Sequence, residues 1–334
     1  MRVLEERGSG GPSCRLVSDV FDAAIRIEGL TAPELRARLF ERGASWPWHR
    51  LIDRSPLKIE LLGDRSDFVD GRTSAVERDL TDGQVRLVSG GTSELNVRAD
   101  HVDSEALLPS ALYLCFAHQW ARIGLLPVHG AAFVTDQGGV LAIGGTGTGK
   151  STLTAAALIA GCRVVSDDWL LAQASQDGLI VERLRRFIML RRGWASDRVL
   201  ARLPGLAFRN HHERPKVTLR LPRRDDRFPN RATVTRLFEL TRPHGARDQS
   251  TRVEPLTAHN AMAALIQSSM PLLFSAALPI ERSRLLAASN QAMRHLEKSR
   301  LIPGSALVDD PCREVGRLGL LSGFEDGSGK ARNA

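Results

Sequence analysis

Gly139-Val140-Leu141-Ala142-Ile143, Gly144-Gly145-Thr146-Gly147-Thr148-Gly149 and Lys150-Ser151 follow one another without a gap, and they decide how the rest of the chain is read. The first five residues are an apolar run of strand length. The next six are a glycine-rich loop, and Ser151 to Ala160 is an alanine- and leucine-rich segment that reads as a helix stopped at Gly161. A second short apolar run, Cys162 to Val165, reads as a strand and ends on Ser166-Asp167-Asp168. Strand, loop, helix and strand make one α/β unit, in which ligands meet the C-terminal ends of the strands.

Gly144 to Ser151 satisfies G-x-x-x-x-G-K-[ST] in full, in the strand-to-helix context that the motif demands. Glycines let successive backbone N–H groups turn inward around a phosphate, and the following helix adds the partial positive charge of its N-terminus. Lys150 reaches the β- and γ-phosphates of a nucleoside triphosphate, and the Ser151 hydroxyl offers a magnesium ligand. The phosphate-binding set is therefore Gly144, Gly145, Thr146, Gly147, Thr148, Gly149, Lys150 and Ser151, with Thr152 beside it on the first helical turn.

Asp167 and Asp168 follow Lys150 by 17 residues and are expected at the end of the adjoining strand. Two adjacent carboxylates repel each other unless a cation or a proton is shared between them. Neighbouring side chains in an extended segment point to opposite faces, so one carboxylate is expected in the magnesium shell and the other is left to a different task. Accepting a proton from an attacking hydroxyl is the natural one. A solvated acidic turn is the alternative.

The rest of the chain is ordinary in size and composition. Its 334 residues are 43% hydrophobic and 25% charged, ample for one large core or two smaller ones. No window reaches the roughly 18 to 20 apolar residues that span a bilayer. The best, Pro109 to Val128, is interrupted by His118, Gln119 and Arg122. Met1 to Gly11 carries Glu5 and Glu6 and lacks the apolar stretch of a secretion signal, so a cytoplasmic protein with no membrane partner is expected. Cys14, Cys115, Cys162 and Cys312 lie far apart with no zinc-ligand spacing, which suggests buried or incidental thiols. The net charge of +8 comes almost wholly from arginine, since only five of the 46 basic residues are lysine. With one tyrosine and aromatics at 5%, the stacking residues of a single-strand binder are missing, and nucleic acid is not expected as a partner.

From about Leu16 to Val102, alternations such as Lys58-Ile59-Glu60-Leu61 and Gln84-Val85-Arg86-Leu87-Val88 sit between turn signals, predicting an antiparallel β-rich region. Leu107 to Ile123 has helical spacing. Residues from Leu184 to Thr251 are arginine-rich with broken periodicity and read as loops and short strands. Thr257 to Ser269 and Glu281 to Arg300 are helical by pattern, with Leu301 to Val308 a candidate last strand. The expected fold class is mixed α/β (α+β), organised as a β-rich region with a closing helix over residues 1–125, a loop-bearing core over 126–321 and a disordered tail over 322–334.

Arg185, Arg186, Arg191 and Arg192 either line a sheet edge in solvent or stabilise a transferring phosphoryl group or an acidic peptide. Lys216 stands out because lysine is scarce, and His211-His212 reads as a loop doublet. There is no Asn-Lys-x-Asp motif to read guanine.

His129-Gly130-Ala131-Ala132-Phe133, the loop Gly144 to Ser151, and Arg163-Val164-Val165-Ser166-Asp167-Asp168 together resemble the HPr serine kinase family and its smaller relatives associated with peptide modification, including lasso-peptide tailoring kinases. The likeness covers about Pro127 to Leu171. It implies a nucleotide-binding core shared with phosphoenolpyruvate carboxykinases, ATP and Mg2+ as cofactors, and transfer of the γ-phosphate to a serine-type hydroxyl of a peptide or small protein. It further implies that Lys150 and Ser151 bind phosphate and metal, that one aspartate of Asp167-Asp168 is the base and the other a metal-shell ligand, with Asp167 as base and Asp168 in the shell the order it suggests and the reverse left open, and that His129 lies near the transferred phosphate. Two positions depart from the family. Thr152 stands where it has an acidic residue, and Val181-Glu182-Arg183-Leu184 is a distant echo of its Glu-x-Arg-Gly segment. Those features accompany phosphorylase activity and HPr recognition, so neither is expected here. A kinase of a small metabolite and an ATP-sensing module without transfer are the other readings, and self-association is left open.

Overall fold

Burial that alternates along strands at residues 13–17 and 24–28 marks the start of the first sheet. The computed structural model describes residues 2–6, 12–18, 24–28, 31–33, 57–62, 75–80, 83–88, 93–97, 116–117, 119–121, 123–185, 187–191, 197–199, 201, 208–210, 216–222, 225–242, 250–276 and 279–321. The chain divides into two compact units, Met1–Pro127 with Ser269–Ala288, and Val128–Ser268 with Ser289–Ala334.

The first unit contains strands β1 (Arg2–Glu6), β2 (Ser13–Val17), β3 (Ala24–Glu28), β4 (Leu57–Leu62), β5 (Ala75–Leu80), β6 (Gly83–Val88) and β7 (Ser93–Val97). They form a seven-stranded sheet in the order β1-β2-β3-β4-β7-β6-β5, and every neighbouring pair is antiparallel. Cys14 lies opposite Ile27 and Leu16 opposite Ile25, and all four are buried, so the period-two pattern puts one face of β2 and β3 into a core. This is the antiparallel β-rich region that the sequence predicts. Of the helix expected over Leu107 to Ile123, Phe116–Ala117 and Gln119–Ala121 are helical, and the rings of Phe116 and Trp120 lie 5.6 Å apart. The remainder falls outside the described residues, apart from a turn at Ile123–Gly124.

An eight-stranded sheet holds the second unit together. Its strands are β8 (Leu126–Thr135), β9 (Gly138–Ile143), β10 (Arg163–Ser166), β11 (Trp169–Ser175), β12 (Gly178–Arg183), β16 (Arg231–Leu240), β17 (Arg252–Pro255) and β18 (Glu297–Ile302). Strands β13 (Phe187–Arg191), β14 (Phe208–Asn210) and β15 (Lys216–Arg220) make a separate three-stranded sheet. In the larger sheet the pairings return on themselves, β8 to β9, β9 to β16, β16 to β12, β12 to β11 and β11 to β8. Strand β9 runs parallel to β16 and β16 parallel to β18, whereas β8 is antiparallel to both β9 and β10. The chain is thus a mixed α/β structure with antiparallel sheets.

Helix α1 (Lys150–Ile159) sits in the core of this unit. Leu153, Ala155, Ala156, Ala157 and Leu158 are buried, together with Phe133 and Ala142 of the large sheet, Ile188 of β13 and Val217 of β15. The three consecutive alanines, Ala155 to Ala157, keep almost a whole turn of the helix slim, so that neighbours can pack on it from several sides. Leu153 is fully buried, and its truncation to alanine would cost about 2 to 5 kcal/mol. The helix ends where the sequence predicts, with Gly161 N donating to Leu158 O and Cys162 N to Ala157 O.

Two expectations about the C-terminal half are corrected. Helices α2 (Ala258–Ala276) and α3 (Pro279–Met293) are present, but residues 297–302 form strand β18 instead of continuing a helix to Arg300, and Ala306–Asp309 is a short helix instead of part of a last strand. The reason lies across the sheet. Arg236 stands opposite Glu297 with its guanidinium 2.6 Å from the carboxylate, and Glu239 stands opposite Arg300 at 2.9 Å. Each such pair is worth about 0.2 to 1 kcal/mol to a sheet and has no signature within the segment itself. Strand β16 is likewise a ten-residue strand, paired on both edges, where broken periodicity suggested short pieces. Its arginines hide the buried positions Ala232, Val234, Leu237, Phe238 and Leu240.

Among the described residues, no helix is long and apolar enough to cross a membrane.

Candidate functional site

The glycine-rich loop begins where β9 runs out of partners. Ile143, its last residue, lies opposite Gly130 of β8 on one side and Glu239 of β16 on the other. Gly144, Gly147 and Gly149 have φ of +148°, +80° and +106°. Gly149 is the residue before α1, and a Cβ there would be strained in φ and would lie 3.1 Å from Pro303 Cγ. No acidic side chain occupies the first turn of α1, so nothing in that turn offsets the partial positive charge of its N-terminus.

Lys150 is buried, at 7% exposure, and folds back over the loop. Its Nζ donates to Gly144 O at 2.6 Å and Gly145 O at 3.0 Å. The Thr148 hydroxyl donates to Gly145 O at 2.9 Å, and Arg242 Nη2 to Thr146 O at 2.6 Å. Three consecutive carbonyls are therefore held by side chains, while Gly145, Thr146 and Gly147 themselves are exposed. Ser151 and Thr152 are half-buried on the first helical turn.

The second part of the site is the corner between β10 and β11. Ser166 turns the chain, its Oγ accepting from Asp168 N at 3.3 Å and donating to Trp169 O at 3.4 Å. Both aspartates are buried, at 4% and 8% exposure, in the bend between the two strands, and their carboxylates bond different partners. Asp167 Oδ2 accepts a hydrogen bond from Met189 N on β13 at 2.9 Å. Asp168 forms an ion pair with Arg185, and its other oxygen stands 3.4 Å from His129 Nε2. The His129 ring packs on Trp169 with centroids 5.3 Å apart, and the Arg185 guanidinium lies 5.6 Å from the centre of the Phe187 ring.

Strand β8 joins the two parts, which corrects the expectation that the aspartates end a strand adjoining β9. Strands β9 and β10 flank β8 on opposite sides. Gly130 N donates to Asp168 O at 2.7 Å, and Gly130 faces Ile143 across the other edge. Two strand spacings, about 10 Å, thus separate the start of the loop from the aspartate corner. His129 precedes Gly130 on the intervening strand.

Of the arginine cluster, Arg185 belongs to this corner, and Arg183 is 1% exposed with Nη1 donating to Phe228 O at 3.1 Å. Neither lines a sheet edge in solvent. Arg186, Arg192, His211 and His212 lie outside the described residues, and of Arg191 and Lys216 only the backbone, paired between β13 and β15, is described. The loop brace by Arg242 and the tether from Met189 have no counterpart in the sequence reading. The only local mark of Arg242 is its place two residues after the end of β16.

Behind the loop, Glu314 accepts from Thr251 N at 2.8 Å and pairs with Arg317 at 2.8 Å, while Thr251 Oγ1 accepts from Gly304 N at 3.2 Å. Burial pushes the Glu314 carboxyl up, but the hydrogen bonds and charge of Arg317 and Thr251 outweigh it and leave it below its ordinary value. Burial, with a smaller contribution from Asp136, pushes the Cys162 thiol up to about 11, which makes it an inert core group. Cys14 is buried as well, while Cys312 is exposed.

Compared with models of protein families and with curated proteins, the chain matches none.

Proposed function

We propose that the chain is an ATP- and Mg2+-dependent kinase with a core like that of HPr serine kinases and phosphoenolpyruvate carboxykinases, transferring the γ-phosphate to a serine-type hydroxyl of a peptide or small protein. The observation that carries this reading is the joining of the Gly144–Ser151 loop to the Asp167–Asp168 corner through Gly130. A glycine-rich loop at a helix N-terminus offers backbone N–H groups of the kind that bind phosphate, and a carboxylate pair two strands away offers groups for chemistry.

In this reading the loop amides and Lys150 hold the β- and γ-phosphates. Ser151 and Asp168 supply hard oxygen donors of the kind magnesium takes, and among the described residues no group of three or more His, Cys, Asp and Glu side chains gathers to hold a metal alone. That suits an ion carried in by the triphosphate, where it would neutralise charge on the phosphate oxygens. Asp167 takes the proton of the acceptor hydroxyl. The Met189 N–H fixes the carboxylate's orientation for that transfer. Arg185 and His129, both on Asp168, bring positive charge and a proton donor to the side of the site where the phosphoryl group moves. ATP over GTP and the peptide acceptor come from the family resemblance alone.

An ATP-sensing module without transfer is favoured by one feature, the engagement of both Asp168 oxygens by Arg185 and His129. Transfer of label from γ-phosphate-labelled ATP to serine-containing peptides separates the two. The kinase reading expects label on a peptide, and ATP binding with no transfer across a broad peptide set selects the sensor.

A further inference from the structure

We propose that Arg242 is a positioning residue of the loop, fixing the Thr146–Gly147 peptide so that its N–H faces the bound phosphate; this rests on the nucleotide reading above. Arg242 leaves the C-terminal end of β16, which runs parallel to β9 and so reaches the same edge of the sheet as the loop. Its guanidinium donates to Thr146 O at 2.6 Å. In a planar trans peptide the C=O of one residue and the N–H of the next point in opposite directions. A donor that holds Thr146 O on one face therefore holds Gly147 N–H toward the other.

The neighbouring glycine shows how closely the arginine is fitted. Gly147 has φ +80°, and a Cβ there would lie 2.8 Å from Arg242 Nη2 and 3.5 Å from Nε and Cζ. The guanidinium lies against the Gly147 Cα, where a side chain would displace it. Lys150 and Arg242 divide the work. Lys150 comes from the motif itself and holds Gly144 O and Gly145 O, whereas Arg242 comes from 96 residues away and holds the next carbonyl. A cation on a carbonyl also polarises the peptide and makes its N–H a better donor to phosphate.

The test is calorimetric titration of ATP and ADP, with Mg2+, into the wild type, Arg242→Ala and Arg242→Lys, with the amide resonance of Gly147 followed by NMR without nucleotide. Arg242→Ala is expected to weaken ATP and ADP alike by roughly 3- to 10-fold and to shift the Gly147 amide, with unfolding temperature unchanged. Arg242→Lys should recover part of both. Gly147→Ala, which displaces the guanidinium, should make a further Arg242→Ala nearly silent in affinity. Wild-type affinity in Arg242→Ala, or additive losses in the double variant, overturns the proposal. A wild type that binds neither nucleotide instead removes the nucleotide reading, and the Gly147 resonance still reports whether Arg242 sets that peptide.

Discussion

The loop and the aspartate corner are built on opposite principles. The loop is built mostly from consecutive residues, glycines with positive φ and one lysine, with Arg242 as a distant brace. The corner's groups are all side chains, and their partners lie 17 and 22 residues onward in the case of Arg185 and Met189. A backbone cradle tolerates exchange of its non-glycine side chains, because the N–H groups remain. A side-chain corner is less tolerant, since one atom changed in Asp167 or Asp168 alters its bond to Met189 or Arg185. The difference predicts that loop variants act on binding and corner variants on the chemical step.

The largest effect is expected at the corner. Asp167→Asn keeps the volume but cannot accept a proton, so the chemical step should slow by roughly 10²- to 10⁴-fold while ATP affinity persists. Asp168→Asn weakens the pairing with Arg185 and removes a charge offered to magnesium, so its activity should respond to added Mg2+ where that of Asp167→Asn does not. Magnesium titrations of phosphoryl transfer for both variants check this, and superimposable profiles would erase the distinction between the two aspartates.

At the loop, Lys150→Ala should reduce ATP affinity or turnover by at least about tenfold, equivalent to about 1.4 kcal/mol. Single-turnover and binding measurements together assign the loss. If binding were intact and only the chemical step slowed, Lys150 would belong with the corner and the contrast would need redrawing.

The smallest effect on function is expected behind both parts, at Glu314. Its carboxyl is held below the ordinary value of 4.5, so its stabilising contribution is complete above that value and is lost as pH falls through the lower folded-state value. Glu314→Gln should cost about 1 to 3 kcal/mol at pH 7, with the gap to wild type closing below about pH 4. ATP affinity should stay near that of the wild type, as these bonds join Glu314, Thr251, Arg317 and Gly304 and none of Gly144 to Ser151. Denaturant unfolding across pH provides the measurement, and a constant gap at all pH values would refute the ionised pairing.

How much of this was legible in the sequence follows from the same contrast. The loop, the helix behind it and its stop at Gly161 could be read because each is encoded within a few residues. The β-rich start could be read because alternations such as Lys58-Ile59-Glu60-Leu61 and Gln84-Val85-Arg86-Leu87-Val88 carry the period of a strand within a few residues. Strand β18 could not, because its charged residues are matched only across the sheet by Arg236 and Glu239. The position of β8 between β9 and β10 was hidden for a similar reason: hydrogen bonding between strands, not chain order, decides who is adjacent. At the corner, the sequence singles out Asp167 and Asp168 by their spacing from Lys150, while their contacts with Arg185 and Met189 answer to tertiary structure alone.

Calorimetric titration of ATP with Mg2+ into the wild type and Lys150→Ala decides whether the Gly144–Ser151 loop binds a nucleoside triphosphate. Saturable one-site binding by the wild type, weakened at least about tenfold in the variant, is expected. Absence of heat and of saturation in a folded wild type, or equal affinity in both proteins, would contradict it.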